Sequence, residues 1–317
     1  MTQRMDLGEM GVIARLHVGT WSAYKKDADV KDHTNEFFEV NGDAGNWNKM
    51  LIQGDSALQS VKRKRNQAYN FHINYSLPWG DNGDRLITTT VLPEYRKTME
   101  KFQSEFFTEV EALREAYPTL IEEARGRLGK MFKEDDYPPV NKLVSKFYFT
   151  FNFSPVATVA DWRIKLRDDE KTEIIRLVEA EQNRIRLVAN QHLWGRVHEA
   201  ATHVVERLTG KDEKTGKDKT FRNSLVDNVK ELADILSVLN IDNDPDMIQM
   251  AKRLKAKIGS VDVDEIRKDR KILLEVRQEA QNIVQEIIVK RKINLEEIQV
   301  APVDVNGKTA RRKINTA

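Results

Sequence analysis

The amino-acid sequence predicts an α+β protein that is mostly α-helical, with a small antiparallel sheet followed by long antiparallel helices in a hairpin or bundle. Short stretches of alternating apolar residues, or of β-branched residues, occur only before residue 165 and are typical of strands. After that point apolar residues recur every three or four positions over long stretches, as on the buried face of a helix. We therefore predict a mixed α/β N-terminal module over residues 1–165 and a helical domain over residues 166–299.

Local patterns define the first elements of the N-terminal module. Val12–Val18 alternates apolar and polar residues, which predicts a strand. Asp55 or Ser56 is placed to cap a helix that runs to about Tyr75. The chain between them is polar, and we expect its large aromatic residues to anchor it to the module: Trp21, Phe37, Phe38 and Trp47.

A second strand and a long helix follow. Residues 85–92 are rich in β-branched side chains, which indicates a strand. Pro93 suits the first turn of a helix, and apolar residues at spacings of three and four give this helix a stripe to bury. Pro118 is expected to interrupt the helix, because proline lacks an N–H and its ring clashes with the preceding turn.

The stretch KFYFTFNFSP, residues 146–155, carries phenylalanine at every second position. On a strand, Phe147, Phe149, Phe151 and Phe153 share one face, opposite Thr150, Asn152 and Ser154. Burying one phenylalanine stabilises a fold by about 1.5–3 kcal/mol, so we expect this face to lie in the core. An interface with another subunit or with a nucleic acid stays open as the alternative.

The helical domain begins with one long helix. Residues 169–209 contain no proline and predict a helix about 60 Å long at 1.5 Å per residue. A charged loop leads to a second helix, then to a third over residues 247–258 and a fourth that starts at Asp262 or Asp264. The long apolar stripe needs more cover than these helices give, so we expect a homo-oligomer. Residues 300–317 lack periodicity and are predicted to form a basic, mobile tail.

Composition excludes several classes of protein. The 317 residues include no cysteine, which excludes disulfides, thiol catalysis and thiolate metal sites. No apolar run approaches the roughly 20 residues of a membrane span, and the N-terminus has no signal-peptide pattern. We therefore expect a soluble cytoplasmic protein without a membrane partner. The formal net charge is only +2, so an acidic partner must be held by a local patch.

Three motifs that suggest chemistry fail on spacing. His198 and His203 are five residues apart, about 140° around a helix, so they cannot easily share a metal ion. Residues 210–218 lack the glycine spacing and the final Ser or Thr of a phosphate loop. Residues 242–253 lack the glycine and glutamate of a calcium loop. We predict no catalytic residue, no cofactor and no metal, and hence no enzyme.

One segment does indicate binding. VKRKRNQAYNFHINY, residues 61–75, combines four consecutive basic residues with several aromatic ones, the combination with which proteins hold phosphates and stack unpaired bases. Helical geometry places the members of the predicted nucleic-acid site on one face: Lys62, Arg65, Tyr69 and His72. Arg63 and Lys64 point elsewhere. A solvated basic face with Tyr69 and His72 packed inward is the alternative.

Several motifs resemble those of a family of uncharacterised tailed-bacteriophage proteins. They are LPWGDNGDRLI (residues 77–87), the aromatic-bearing helix that follows, EDDYP (134–138) and TWSAYKKD (20–27), and the likeness covers about residues 10–165. The resemblance implies a phage origin and a role in DNA metabolism or takeover of the infected cell, in the host cytoplasm. It also implies a gene neighbourhood with MoxR-like AAA+ ATPases, and it supplies no catalytic residues.

The sequence thus favours a non-catalytic bacteriophage protein that forms a homo-oligomer and binds nucleic acid, single-stranded DNA by preference. The alternative is an adaptor or structural protein that acts on a protein partner such as an AAA+ ATPase.

Overall fold

The computed structural model describes residues 7–42, 44–54, 56–80, 83–156, 168–209 and 222–291, and it confirms the mostly helical α+β class. The strands are β1 (Gly11–Gly19), β2 (Tyr24–Lys26), β3 (Asn48–Met50), β4 (Leu77–Trp79), β5 (Asp84–Thr88) and β6 (Tyr148–Pro155). The helices are α1 (Leu7–Met10), α2 (Ala28–Phe37), α3 (Ser56–Asn74), α4 (Leu92–Leu128), α5 (Val140–Val144), α6 (Asp168–Thr209), α7 (Ser224–Leu239), α8 (Pro245–Leu254), α9 (Val263–Lys268) and α10 (Arg270–Arg291).

The described chain forms two compact units that interleave along the sequence. Of the described residues, those within 7–15, 73–93 and 153–291 belong to the first unit, and those within 16–72 and 94–152 belong to the second. The predicted boundary after residue 165 lies outside the described residues and stays a prediction. The predicted tail, residues 300–317, lies outside them too.

The main sheet has four strands in the order β4-β5-β1-β6. β5 pairs antiparallel with the first half of β1, from Gly11 opposite Thr88 to Ala14 opposite Arg85, and antiparallel with β4. A separate antiparallel ribbon joins β2 and β3. The sequence predicted β1 but not the three-residue strands.

The first unit is built around α6, whose observed bounds confirm the long helix predicted over residues 169–209. Apolar faces of α6, α7, α8 and α10 supply its core. Arg186 of α6 donates to Asp242, just after α7, at 2.9 Å. The predicted fourth helix is in fact two, because the chain turns to an extended conformation at Asp269 between α9 and α10.

The second unit buries the stripe of α4, and this stripe explains why Pro118 does not break the helix. Buried residues continue on both sides of the proline, with Leu113 and Tyr117 before it and Leu120 and Ala124 after it. The expected interruption was therefore wrong. Packing on the two flanking turns outweighs the roughly 3 kcal/mol that an internal proline costs.

The phenylalanine face of β6 is only partly core. Phe147 and Phe149 are buried, as predicted, and the Phe149 ring lies 5.6 Å from that of Phe106 on α4. Phe151 is half-buried, and Phe153 is exposed. Burial therefore decreases along the strand, and the prediction of a core face holds for its first half.

The aromatic residues expected to anchor residues 21–47 divide in a similar way. Trp21 is buried, and its ring meets Tyr117 edge-on at 5.9 Å. Phe37, Phe38 and Trp47 are exposed, so the expectation that they anchor this stretch was wrong. Apolar residues are buried on average, but a stretch that has no core of its own leaves them at the surface.

Candidate nucleic-acid interface

The spacing of the buried residues along α3 determines which of its side chains reach the surface. Leu58, Val61 and Ala68 are buried, and they recur at the positions that share one helical face. Arg65 and His72 continue the same series of three- and four-residue steps. Both therefore start on the buried side of the helix, and only a long side chain such as arginine can extend from there towards solvent.

The structure brings three of the four predicted site residues together. The Arg65 guanidinium lies 5.9 Å from the centroid of the Tyr69 ring and donates to the Thr20 hydroxyl at 3.3 Å. The Tyr69 hydroxyl accepts a hydrogen bond from the Val18 backbone N–H at 3.3 Å. Lys62 lies close enough to Arg65 for the two positive charges to interact. Tyr69 thus positions Arg65 at the end of β1.

Lys62 and Arg65 bring two positive charges close together. Burial, followed by the nearby positive charge of Arg65, lowers the pKa of Lys62. Among the described residues, no carboxylate forms an ion pair with either side chain. Two like charges held together without a counter-ion produce a local positive potential, which attracts anions.

The other two basic residues of the segment face elsewhere. Lys64 forms an ion pair with Glu105 of α4 at 2.8 Å, and this hydrogen bond lowers the pKa of Glu105. Arg63 is exposed.

His72 does not belong to this surface, which corrects its predicted role. The residue is only 3% exposed, and its Nδ1 lies 2.6 Å from the Tyr95 hydroxyl. The neighbouring Phe71 stacks on Tyr95, with ring centroids 5.6 Å apart. A ring enclosed in this way offers no face to a nucleic acid, so the alternative in which His72 packs inward is correct.

The open face of β6 adds residues that the sequence did not reveal as a site. Tyr148 is 52% exposed, and its ring lies against Gly19 of β1 so closely that a Cβ there would fall 2.1 Å from a ring carbon. The Thr150 hydroxyl donates to the His17 carbonyl at 3.5 Å, and both residues are exposed. These two contacts show that β6 runs antiparallel to β1. Alternation along the phenylalanine strand could have placed Tyr148 on the open face, but its contact with Gly19 depends on tertiary pairing.

Arg65 and the exposed ring of Tyr148 contact consecutive residues of the chain. Tyr148 contacts Gly19, and Arg65 donates to Thr20, whose Cα is about 3.8 Å from that of Gly19. Cationic side chains neutralise phosphates, and an exposed aromatic ring can stack an unpaired base. The end of β1 thus contacts one cationic side chain and one exposed aromatic ring.

Metal clusters and membrane-spanning helices are both absent from the described ranges. Those ranges contain no group of three His, Cys, Asp or Glu side chains arranged to hold a metal ion. They also contain no helix with the length and apolar character that crossing a membrane requires. Comparisons with models of protein families, with curated proteins and with solved structures find no match for this chain.

Proposed function

We propose that the second unit binds single-stranded nucleic acid at the end of β1, through Lys62, Arg65 and Tyr148. The observation that carries this proposal is a pair of cations that no carboxylate of the described residues neutralises, together with an exposed aromatic ring that contacts the residue next to the Arg65 partner Thr20. Stacking on a surface ring requires an unpaired base, which favours a single strand over a duplex. DNA is the proposed ligand, in line with the resemblance to phage proteins, and the protein acts as a non-catalytic homo-oligomer.

Each group has a defined part in this proposal. Lys62 and Arg65 neutralise phosphates, and Tyr69 holds Arg65 in place through the contact between ring and guanidinium. Tyr148 stacks a base. His17 and Thr150 lie beside it on the open face of the sheet and offer polar contacts without sequence selectivity.

Salt-titrated binding to a fluorescent oligothymidylate tests the proposal. Affinity should fall steeply with salt, with about 0.7 added to the log–log slope for each phosphate contact. Lys62→Ala with Arg65→Ala should flatten this slope by about 1.4, since two contacts are lost. Tyr148→Ala should cost about 1–3 kcal/mol of binding free energy and leave the slope unchanged.

Arg63→Ala with Lys64→Ala is the matched control, because it removes the same charge from the same helix. Its effect should be much smaller, and circular dichroism should show that all variants are folded. Equal effects of the two basic pairs would indicate diffuse electrostatics instead of a site. An absence of binding at moderate salt would refute the proposal and favour the adaptor that acts on a protein partner such as an AAA+ ATPase.

A further inference from the structure

The described residues between Tyr24 and Met50 form a part of the second unit that we name the arm. It consists of β2, α2, a connecting segment and β3. Among its described residues only Asp27 and Lys49 are buried, and α2 contains no buried residue at all. A ten-residue helix without buried side chains has little reason to be stable alone, because helical stability in proteins comes mainly from tertiary packing.

The end of α2 presents an apolar patch that we name the tip, formed by Phe37 and Phe38. These side chains are 73% and 68% exposed, and their rings contact each other edge-on at 4.9 Å. Carboxylates flank them on both sides, since Glu36 and Glu39 are exposed. Two adjacent exposed phenylalanines form the kind of patch that marks an interaction surface.

The opposite end of the arm, which we name the base, is basic and also aromatic. It comprises the β2 residues Tyr24, Lys25 and Lys26 together with Trp47, and all four are exposed. The Asp27 N–H donates to the Trp47 carbonyl at 3.1 Å, which closes the base. From Asp27, the N-cap of α2, the ten residues of the helix rise about 15 Å to the tip.

We infer that the arms of two copies of this chain pair antiparallel, so that the tip of each docks on the base of the other. A two-fold axis makes both contacts at once, because in such an interface residue i meets residue j and j meets i. Phe37 and Phe38 then pack against Tyr24 and Trp47 of the other copy, and the glutamates of the tip face the lysines of the base. The inference does not depend on nucleic-acid binding.

Charge complementarity favours a second copy over other occupants. One arm carries an acidic apolar tip and a basic aromatic base, so its best-matched partner is the same arm reversed. A nucleic acid would be repelled by Glu36 and Glu39. A different protein would need to reproduce both halves of the pattern at the same spacing.

Sedimentation of the full chain from about 1 to 100 µM tests the interface by its effect on the dissociation constant. The wild type should dimerise reversibly. Phe37→Ser with Phe38→Ser should weaken the dimer by about 30-fold or more, as expected for aromatic hot spots. Phe107→Ser removes an exposed phenylalanine of α4 and should leave the dimer unchanged.

A charge swap makes the test specific for antiparallel pairing. Glu36→Lys with Glu39→Lys should weaken the dimer, and so should Lys25→Glu with Lys26→Glu. All four changes in one chain should restore it, since tip and base are again opposite in charge. A wild type that stays monomeric over the whole range would overturn the inference. A dimer that survives loss of the two phenylalanines, or four changes that fail to rescue it, would also overturn it.

Discussion

Replacing Lys49 by alanine should lower the free energy of unfolding by about 3–5 kcal/mol, the loss measured when one partner of a buried ion pair is removed. Lys49 is 1% exposed. Its ammonium lies 3.0 Å from an Asp27 carboxylate oxygen and 2.6 Å from one of Asp136, and it donates to the Met131 carbonyl at 2.8 Å. Without the lysine, the carboxylates of Asp27 and Asp136 would remain enclosed without the cation that contacts them both.

Lys49 and Asp27 each shift the pKa of the other. Burial disfavours the charge on Lys49, but the close contacts with Asp136 and Asp27 and their negative charges together outweigh it and raise the pKa of the lysine. The hydrogen bond from Lys49 lowers the pKa of Asp27, against the opposing effect of burial. Because the folded pKa of Asp27 lies below the unfolded value of about 3.9, its stabilisation is present above that pH and is lost as pH falls further.

Denaturant unfolding at neutral pH measures the effect, and two variants sharpen it. Lys133→Ala breaks an exposed ion pair with Asp29 and should change stability by less than about 1 kcal/mol. Lys49→Met with Asp27→Asn and Asp136→Asn removes all three charges together and should recover most of the loss. A Lys49→Ala protein as stable as the Lys133→Ala protein would show that the cluster contributes nothing.

The same cluster connects stability to the arm. Asp27 follows β2 directly and caps α2 by accepting from the Val30 N–H at 3.2 Å. Lys49 lies on β3. The buried ion pair between them therefore joins the two ends of the arm, where no apolar side chain of the arm is buried. We therefore expect the arm to unfold before the rest of the second unit when Lys49 is replaced. If the arms pair as inferred, the Lys49→Ala protein should also lose its dimer under conditions in which the rest of the chain remains folded.

Periodicity made the long elements predictable, and its absence hid the short ones. The uninterrupted apolar spacing of α6 predicted its bounds to within one residue. β2 and β3 have three residues each, too few to show a period, so the arm could not be recognised. The prediction at Pro118 was wrong because the free-energy cost of a proline inside a helix is smaller than the stabilisation from packing of the flanking turns.

Only the part of the candidate site that lies on a single helix could be predicted from the sequence. The three-residue step from Lys62 to Arg65 correctly indicated neighbours, and the structure holds them together. His72 was misplaced because it was assigned to the face of Arg65 without recognising that this face continues the buried series that begins at Leu58. Tyr148 was missed as a partner of this site because its contact with Gly19 joins residues 129 positions apart in the chain, which no local pattern contains.

Replacing His192 by leucine should reduce the loss of stability that the protein suffers between pH 6.5 and 4.5. His192 of α6 is 8% exposed, and its Nδ1 has no hydrogen-bond partner among the described residues. Burial, together with the positive charges of Arg85 and Arg196, lowers its pKa to about 3. Both arginines are fixed, since Arg85 donates to Ser76 and to the Ile73 carbonyl, and Arg196 donates to the Asn74 carbonyl.

The sign of the effect follows from the two protonation states. The folded protein keeps His192 neutral down to about pH 3, whereas the unfolded chain takes up a proton below about pH 6.5. The contribution of His192 to stability is therefore fully present above that pH and falls as pH decreases, by up to about 1.4 kcal/mol for each pH unit.

Unfolding in denaturant at pH 7.5, 6.5, 5.5 and 4.5 measures this slope for the wild type and for the His192→Leu protein. Leucine adds no titrating group, so the wild-type curve should fall relative to the His192→Leu curve as pH decreases, whatever their offset at pH 7.5. Parallel curves over the whole range would show that His192 takes up its proton in the folded state as readily as in the unfolded chain.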